Sequence, residues 1–215
     1  MNIEQAWNHA VTDIWTNGTL VTTEDKDTIK EKLNLVISFK PVLGRIPDNY
    51  QIKRPGLECY KTQLMTPINT WGFEYTYGER LWTWGKEIGF EINQIEDAIN
   101  RLCSNPTTRR ATCDLAIPSR DTTTEEPPCL RLVDFKLRKN NKGIIPIEEL
   151  HMTVVFRSHD IFGAALANWV ALSELMNYVA SEISKRMGRN IVLGTLTNHS
   201  ISAHIYERDF DNINK

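Results

Sequence analysis

The chain has 215 residues, 41% of them apolar, which is room for one sizeable domain with its own core. Its 25 basic and 27 acidic side chains leave a formal net charge of -2. That balance excludes a global pull toward nucleic acid or an acidic membrane, so any phosphate site must be a local cluster of basic groups. The four cysteines, Cys59, Cys103, Cys113 and Cys129, make no CxxC pair and no secreted-scaffold spacing. They read as reduced thiols in a cytoplasmic setting, with no metal site. No apolar run is long enough for a membrane span, and the first residues lack the basic-then-apolar pattern of a signal peptide. No internal repeat divides the chain, so residues 1–215 are expected to form a single domain.

Ile3, Ala6, Trp7, Ala10, Val11, Ile14 and Trp15 recur at helical spacing, and Gly18 follows as a stop. This predicts a scaffold helix whose tryptophans take no functional role. Leu33 to Phe39 alternates as a strand does. Pro41, Gly44, Pro47 and Pro55 mark a loop-rich passage, and Leu57 to Met65 suits a short helix. The run Trp71 to Trp82 is dense in aromatics and glycines. It reads either as a tight turn with ring packing or as a loop lining a ligand. Ile92, Ile95, Ile99 and Leu102 predict a helix closed by Asn105-Pro106. Arg109 and Arg110 stand at the entrance of an apolar strand, Ala111 to Ile117. Such a pair forms a solvated corner or an anion site.

After a polar loop from Ser119 to Glu126 comes Pro127-Pro128-Cys129-Leu130. Each proline fixes its own φ and restricts the residue before it, so the backbone enters Cys129 stiff and extended. Such a thiol is either a buried, inert side chain or a nucleophile whose pKa has been lowered from about 8.5. A strand from Leu130 to Leu137, a turn at Lys139 to Gly143 and a return strand from Leu150 to Arg157 predict a hairpin. The return strand ends in Arg157-Ser158-His159-Asp160. Arg157 and Ser158 suit phosphate oxygens, and Asp160 stands where a helix N-cap would be. The helix is expected from Phe162 to Met187, ended by Gly188, with Asn168 on its buried face. A buried amide needs partners, either in the core or on a ligand edge. Ile191 to Leu196 reads as a strand, Thr197 to Ser200 as a break, and Ile201 to Tyr206 as a second strand. Ser202, His204 and Tyr206 share one face of it, suited to hydroxyl recognition or to solvent.

In order, Tyr77-Gly78, Arg109-Arg110, Pro127-Pro128-Cys129, Arg157-Ser158-His159-Asp160, Asn168 and His204-Ile205-Tyr206 resemble thymidylate synthases and the related pyrimidine nucleotide hydroxymethylases. The compact length and the Gly72 to Arg80 segment look most like the archaeal-type branch. The resemblance implies an α/β fold, a single domain with a large mixed, mainly antiparallel sheet flanked by helices. It implies transfer of a one-carbon unit to C5 of dUMP and its reduction, giving dTMP. The donor would be methylene-tetrahydrofolate or methylene-tetrahydromethanopterin.

By the same resemblance, Cys129 is the nucleophile that adds to C6. Arg157 and Ser158 bind phosphate, Arg157 also stabilising the thiolate, and Arg109 and Arg110 reach phosphate from the partner of a homodimer. Asn168 holds the O4 and N3 edge, His204 and Tyr206 hold the sugar 3′-hydroxyl, Asp160 contacts the pterin, and Tyr77 stands near C5. Several features depart from the family pattern. Leu130 replaces the histidine that often follows the nucleophile, and the hairpin before Arg157 looks longer than usual. The segment that carries a catalytic glutamate is missing from its familiar place, which leaves Glu58 and Glu79 as candidates. The familiar closing tail is not recognisable at Asp211 to Lys215. Alternatives left open are a dUMP or dCMP hydroxymethylase, a non-catalytic nucleotide-binding relative, and a cysteine hydrolase using His151, His159, His199 or His204.

Overall fold

The computed structural model describes residues 1–41, 54–69, 72–141 and 147–213. Most of the expected loop passage after Pro41, Trp71, the end of the turn at Gly143 and the last two residues lie outside that set. Helix α1 (Ile3–Asn17) opens on a capping box between Asn2 and Gln5 and ends at Gly18. Strands β1 (Thr19–Thr22) and β2 (Thr28–Phe39) follow as a hairpin, then helices α2 (Arg54–Met65), α3 (Tyr77–Trp82) and α4 (Gln94–Ser104). Strand β3 (Thr112–Asp114), the short helix α5 (Pro118–Asp121), strands β4 (Leu130–Asn140) and β5 (Ile147–Asp160), helix α6 (Ala165–Met187), strand β6 (Ile191–Tyr206) and helix α7 (Phe210–Ile213) complete the described strands and α-helices.

The described strands form one six-stranded sheet in the order β1-β2-β6-β5-β4-β3. Every neighbouring pair is antiparallel except β5 and β6, which are parallel. Parallel neighbours require a crossover, and here it is α6. The expected mixed, mainly antiparallel α/β sheet is what forms.

Leu150, Met152, Val154 and Phe156 on β5 are buried, and His151, Thr153, Val155 and Arg157 between them are half-buried. One face of the sheet is therefore packed under helices while the other is open. Trp169, Val170, Leu172, Leu175, Met176, Val179 and Ile183 put almost the whole girth of α6 into the core. Each such side chain contributes about 1.5–3 kcal/mol relative to exposure.

Several expectations change. Strand β6 runs unbroken through Thr197 to Ser200, because these residues pair on both sides: Asn198 with Ile37 of β2 and with Val154 of β5. Pairing on two edges overrides a polar composition that reads as a break. The apolar strand near Ala111 shrinks to three residues. Ile92 lies outside α4, bridged to Trp84 and 46% exposed. Asp160 is the last residue of β5 and does not cap α6. The N-cap position is Ala164, which has no side-chain cap, and an intervening turn leads into the helix.

The aromatic run contains α3, started by a capping box between Thr76 and Glu79. Gly78 makes that helix possible. A Cβ there would stand 2.0 Å from the carbonyl oxygens of both Gln63 and Thr66 at the end of α2. These are backbone atoms and cannot turn aside. Gly78→Ala is therefore expected to destabilise the fold by about 1–3 kcal/mol or more, read as a lower urea midpoint.

Candidate active site

The carboxyl ends of β5 and β6 and the first turns of α6 meet at one end of the sheet. Asp160 of β5 pairs with His204 of β6, and the next amide, Ile161 N, donates to the His204 carbonyl at 2.9 Å. Trp7 of α1 pins the turn that follows, its indole donating to the Ile161 carbonyl at 2.6 Å. One tryptophan of the scaffold helix thus supports the strand end. A cavity of about 460 Å³ opens here. Seven of the ten candidate residues border it: Tyr77, Cys129, Ser158, Asp160, Asn168, His204 and Tyr206.

Cys129 precedes a β-bulge at the start of β4, a feature that re-aims side chains beside strand ends. Its carbonyl accepts from Arg157 N at 2.8 Å. The Arg157 guanidinium does not border the cavity. It donates to the carbonyls of Pro127, at 2.7 Å, and Pro128, at 3.3 Å, and so clamps the proline pair. Burial pushes the Cys129 thiol up, and the Arg157 charge opposes that in part. Burial wins, against the expectation of a thiol lowered by its arginine. Cys113 is pushed up to about 12 by burial, as an inert core thiol should be.

Leu130, which stands where a histidine was expected, is fully buried, and its amide donates to the Tyr77 hydroxyl at 3.3 Å. The backbone beside Cys129 thereby positions Tyr77. Burial first, then the neighbouring Tyr60 and Cys129, push the Tyr77 phenol well above its ordinary value. Asn168 is 7% exposed and donates from Nδ2 to the Tyr60 hydroxyl at 3.0 Å. His204 and Tyr206 meet edge to face, with ring centroids 5.0 Å apart.

Asp160 accepts from Gly163 N at 2.8 Å, and a Cβ on Gly163 would stand 2.4 Å from its Oδ2. Burial raises the Asp160 pKa, the Gly163 amide and His204 working against it. Burial lowers that of His204.

Arg109 and Arg110 are exposed in the connection between α4 and β3, off the cavity wall. Neither candidate glutamate reaches the cavity. Glu58 is exposed and pairs with Lys61, and Glu79 is held by the capping box. The glutamates that do border it are Glu74 and Glu126, both exposed. Among the candidate bases, His151 accepts from Thr195 N and His199 lies near Asn34, both off the wall. His159 and His204 border the cavity, and neither hydrogen-bonds the Cys129 sulfur among the described residues.

The sequence assigns no role to Tyr60, Gln63 and Leu64 of α2 or to Phe156 of β5, and offers His159 only as a hydrolase base, yet all five border the cavity. The first three sit at i, i+3 and i+4, one helix face, which periodicity could have flagged. His159 lies flat on Phe156 at 3.9 Å, and no local pattern announces that.

A family model for thymidylate synthase matches residues 53–215. The chain belongs to the thymidylate synthase family. Proteins named "Putative thymidylate synthase" are similar over almost the whole chain. That of Methanococcoides burtonii is 39% identical over 214 residues, covering 99% of this chain and 90% of the relative. That of Methanosarcina mazei is 40% identical, covering 98% and 89%. That of Methanocaldococcus jannaschii is 31% identical, covering 100% and 92%. The family implies a methyltransferase-type enzyme acting with a methylene-folate-type co-substrate.

The thiol environment makes a prediction. Site-resolved alkylation of Cys129 with iodoacetamide should set in at higher pH than for an exposed thiol, in a scan from about pH 6 to 10. Arg157→Leu should move the onset higher still, because it removes the charge that favours the thiolate.

Proposed function

We propose that this chain converts dUMP to dTMP through covalent addition of Cys129 to C6 of the ring. The observation that carries the reading is convergence. A thiol, a base-edge amide, a carboxyl group and a histidine–tyrosine pair come from separate elements to one cavity. C5 of uracil is a poor nucleophile. When the Cys129 thiolate adds to C6, the electron pair moves to O4 and C5 gains enolate character. Asn168 stands at the ring edge to donate to O4 as charge develops there. Tyr77, tethered to the Leu130 amide, is the group near C5 for removal of its proton through water. His204 and Tyr206 hold the sugar hydroxyl, and Ser158 takes part in phosphate binding.

The walls also suit a flat pterin. Phe73 and Tyr75 offer ring faces, and Asp160 offers a carboxyl whose pKa burial raises. Asp160 and these rings would hold the methylene-tetrahydropterin, folate or methanopterin, which supplies the one-carbon unit and the hydride. Aromatic walls exclude water from the reacting edge.

A homodimer fits the same reading. Val36 and Ile201 expose 59% and 43% of their surfaces on one face of the neighbouring strands β2 and β6. Covering that face with a second copy would let Arg109 and Arg110 serve the partner's phosphate rather than their own cavity. A soluble nucleotide pathway would place the enzyme in the cytoplasm.

The first test supplies dUMP with each methylene donor and identifies the product by mass. A methyl product is expected, with tritium released from 5-labelled dUMP. A hydroxymethyl product would assign the chain to water-terminated chemistry instead, and no release with either pterin would leave a nucleotide-binding protein. Cys129→Ser should abolish the release. The second test mixes Cys129→Ser with the double variant Arg109→Ala, Arg110→Ala, each inactive alone. If the arginines act across subunits, equal mixing restores roughly a quarter of the wild-type sites, since half the dimers are mixed and each holds one intact site. Zero recovery after verified subunit exchange would return the arginines to their own chain.

A further inference from the structure

Behind Asn168 runs a buried polar chain that the reaction above does not use. Trp169 Nε1 donates to Asn198 Oδ1 at 3.1 Å, Asn198 Nδ2 donates to Ser200 Oγ at 2.8 Å, and Ser200 Oγ lies 2.9 Å from His159 Nδ1. Trp169, Asn198 and Ser200 are fully buried, and His159 is 3% exposed. An indole can only donate, so the orientation of the Asn198 amide follows from it. Asn198 then gives its own proton to Ser200. The serine proton is left to find an acceptor, and among the described residues the one it meets is His159 Nδ1. A buried hydroxyl proton without an acceptor is costly. The neutral imidazole therefore carries its proton on Nε2. The ring is neutral because burial first, and then His204, push its pKa down to about 3.

His159 Nε2 meets no partner in hydrogen-bond geometry, although the Asn168 amide is next to it and both residues border the cavity. Asn168 is the residue whose orientation matters. A carboxamide turned by 180° exchanges donor for acceptor. One orientation suits the N3–H and O4 of a uracil-type ring. The other suits the bare N3 and amino group of a cytosine-type ring. Tyr60, the amide's other neighbour, is a hydroxyl and tolerates either orientation, since it can accept or donate. A fixed N–H at His159 does not: it can donate to the amide oxygen, and it repels the amide nitrogen.

We propose that His159, held in its Nε2–H form by Ser200, Asn198 and Trp169, is a positioning residue that locks the Asn168 amide in one orientation and so makes the cavity select a uracil-type over a cytosine-type nucleotide. This rests on the reading of the cavity as a pyrimidine nucleotide site. An amide alone discriminates poorly because it can flip. The lock comes from a donor-only indole three residues up the chain of hydrogen bonds.

The test measures dissociation constants of dUMP and dCMP by titration calorimetry, with kcat and KM for dUMP alongside. The variants are Ser200→Ala, which removes the proton that fixes the imidazole; His159→Phe, which keeps a flat ring on Phe156 but no nitrogen; and Ser200→Thr, which keeps the hydroxyl. Ser200→Ala and His159→Phe should lower the dUMP-to-dCMP preference by about tenfold or more, the worth of one mispaired buried donor. Ser200→Thr should retain the preference. Unchanged preference in either of the first two, or dUMP and dCMP weakened in parallel, overturns the role given to His159. Should Ser200→Ala fail to fold, His159→Phe decides on the same criterion. A wild-type protein that binds neither nucleotide overturns the reading of the cavity instead, so the two failures are distinguishable.

Discussion

The site depends on one topological constraint, the parallel pairing of β5 with β6 in an otherwise antiparallel sheet. Parallel neighbours leave their carboxyl ends on the same edge, and the connection between them must cross over the sheet. Helix α6 makes that crossing and is buried on nearly every side. Its first turns are therefore delivered to the edge where both strands end. Asp160, Asn168 and His204 come from three successive elements, yet they border one cavity because the crossover leaves no other arrangement. This edge, outside the carboxyl ends of strands, is where α/β sheets commonly hold ligands.

Cys129 is positioned from the other side. Two prolines stiffen the approach, the Arg157 fork grips their carbonyls, and the bulge turns the chain as it enters β4. The guanidinium does two things at once. It braces the loop mechanically, and its charge partly offsets the desolvation that keeps the thiol protonated.

Much of the candidate site was legible in the sequence, since the stretches holding Cys129, Asp160, Asn168, His204 and Tyr206 resemble the family in order, and all five border one cavity. Legibility failed where pairing between distant segments decided the outcome. The polar stretch at Thr197 to Ser200 looked like a break, and it is the middle of a strand hydrogen-bonded on both edges. Glu79 is one of two glutamates the sequence leaves open for the catalytic role, and it caps α3. Asp160 looked like a helix cap, and it ends a strand, held by the amide of Gly163. Arg157 suits a phosphate by residue type, and here its guanidinium grips the proline carbonyls beside the cavity.

By itself the sequence determined the chemistry available: a stiffened Pro-Pro-Cys thiol, a strand ending in Arg-Ser-His-Asp, and a buried-face amide four residues before Leu172. These are properties of residue type and spacing, carried by backbone sterics and helical or strand period. Only the tertiary structure decided which groups face one another. It put Tyr60 against Asn168, the Leu130 amide against Tyr77, and an indole, an amide and a hydroxyl in line behind His159. Those contacts join residues from 29 to 108 positions apart, apart from one between near neighbours. No local pattern encodes them, because what brings them together is the burial of α6 and the register of β6 between β2 and β5.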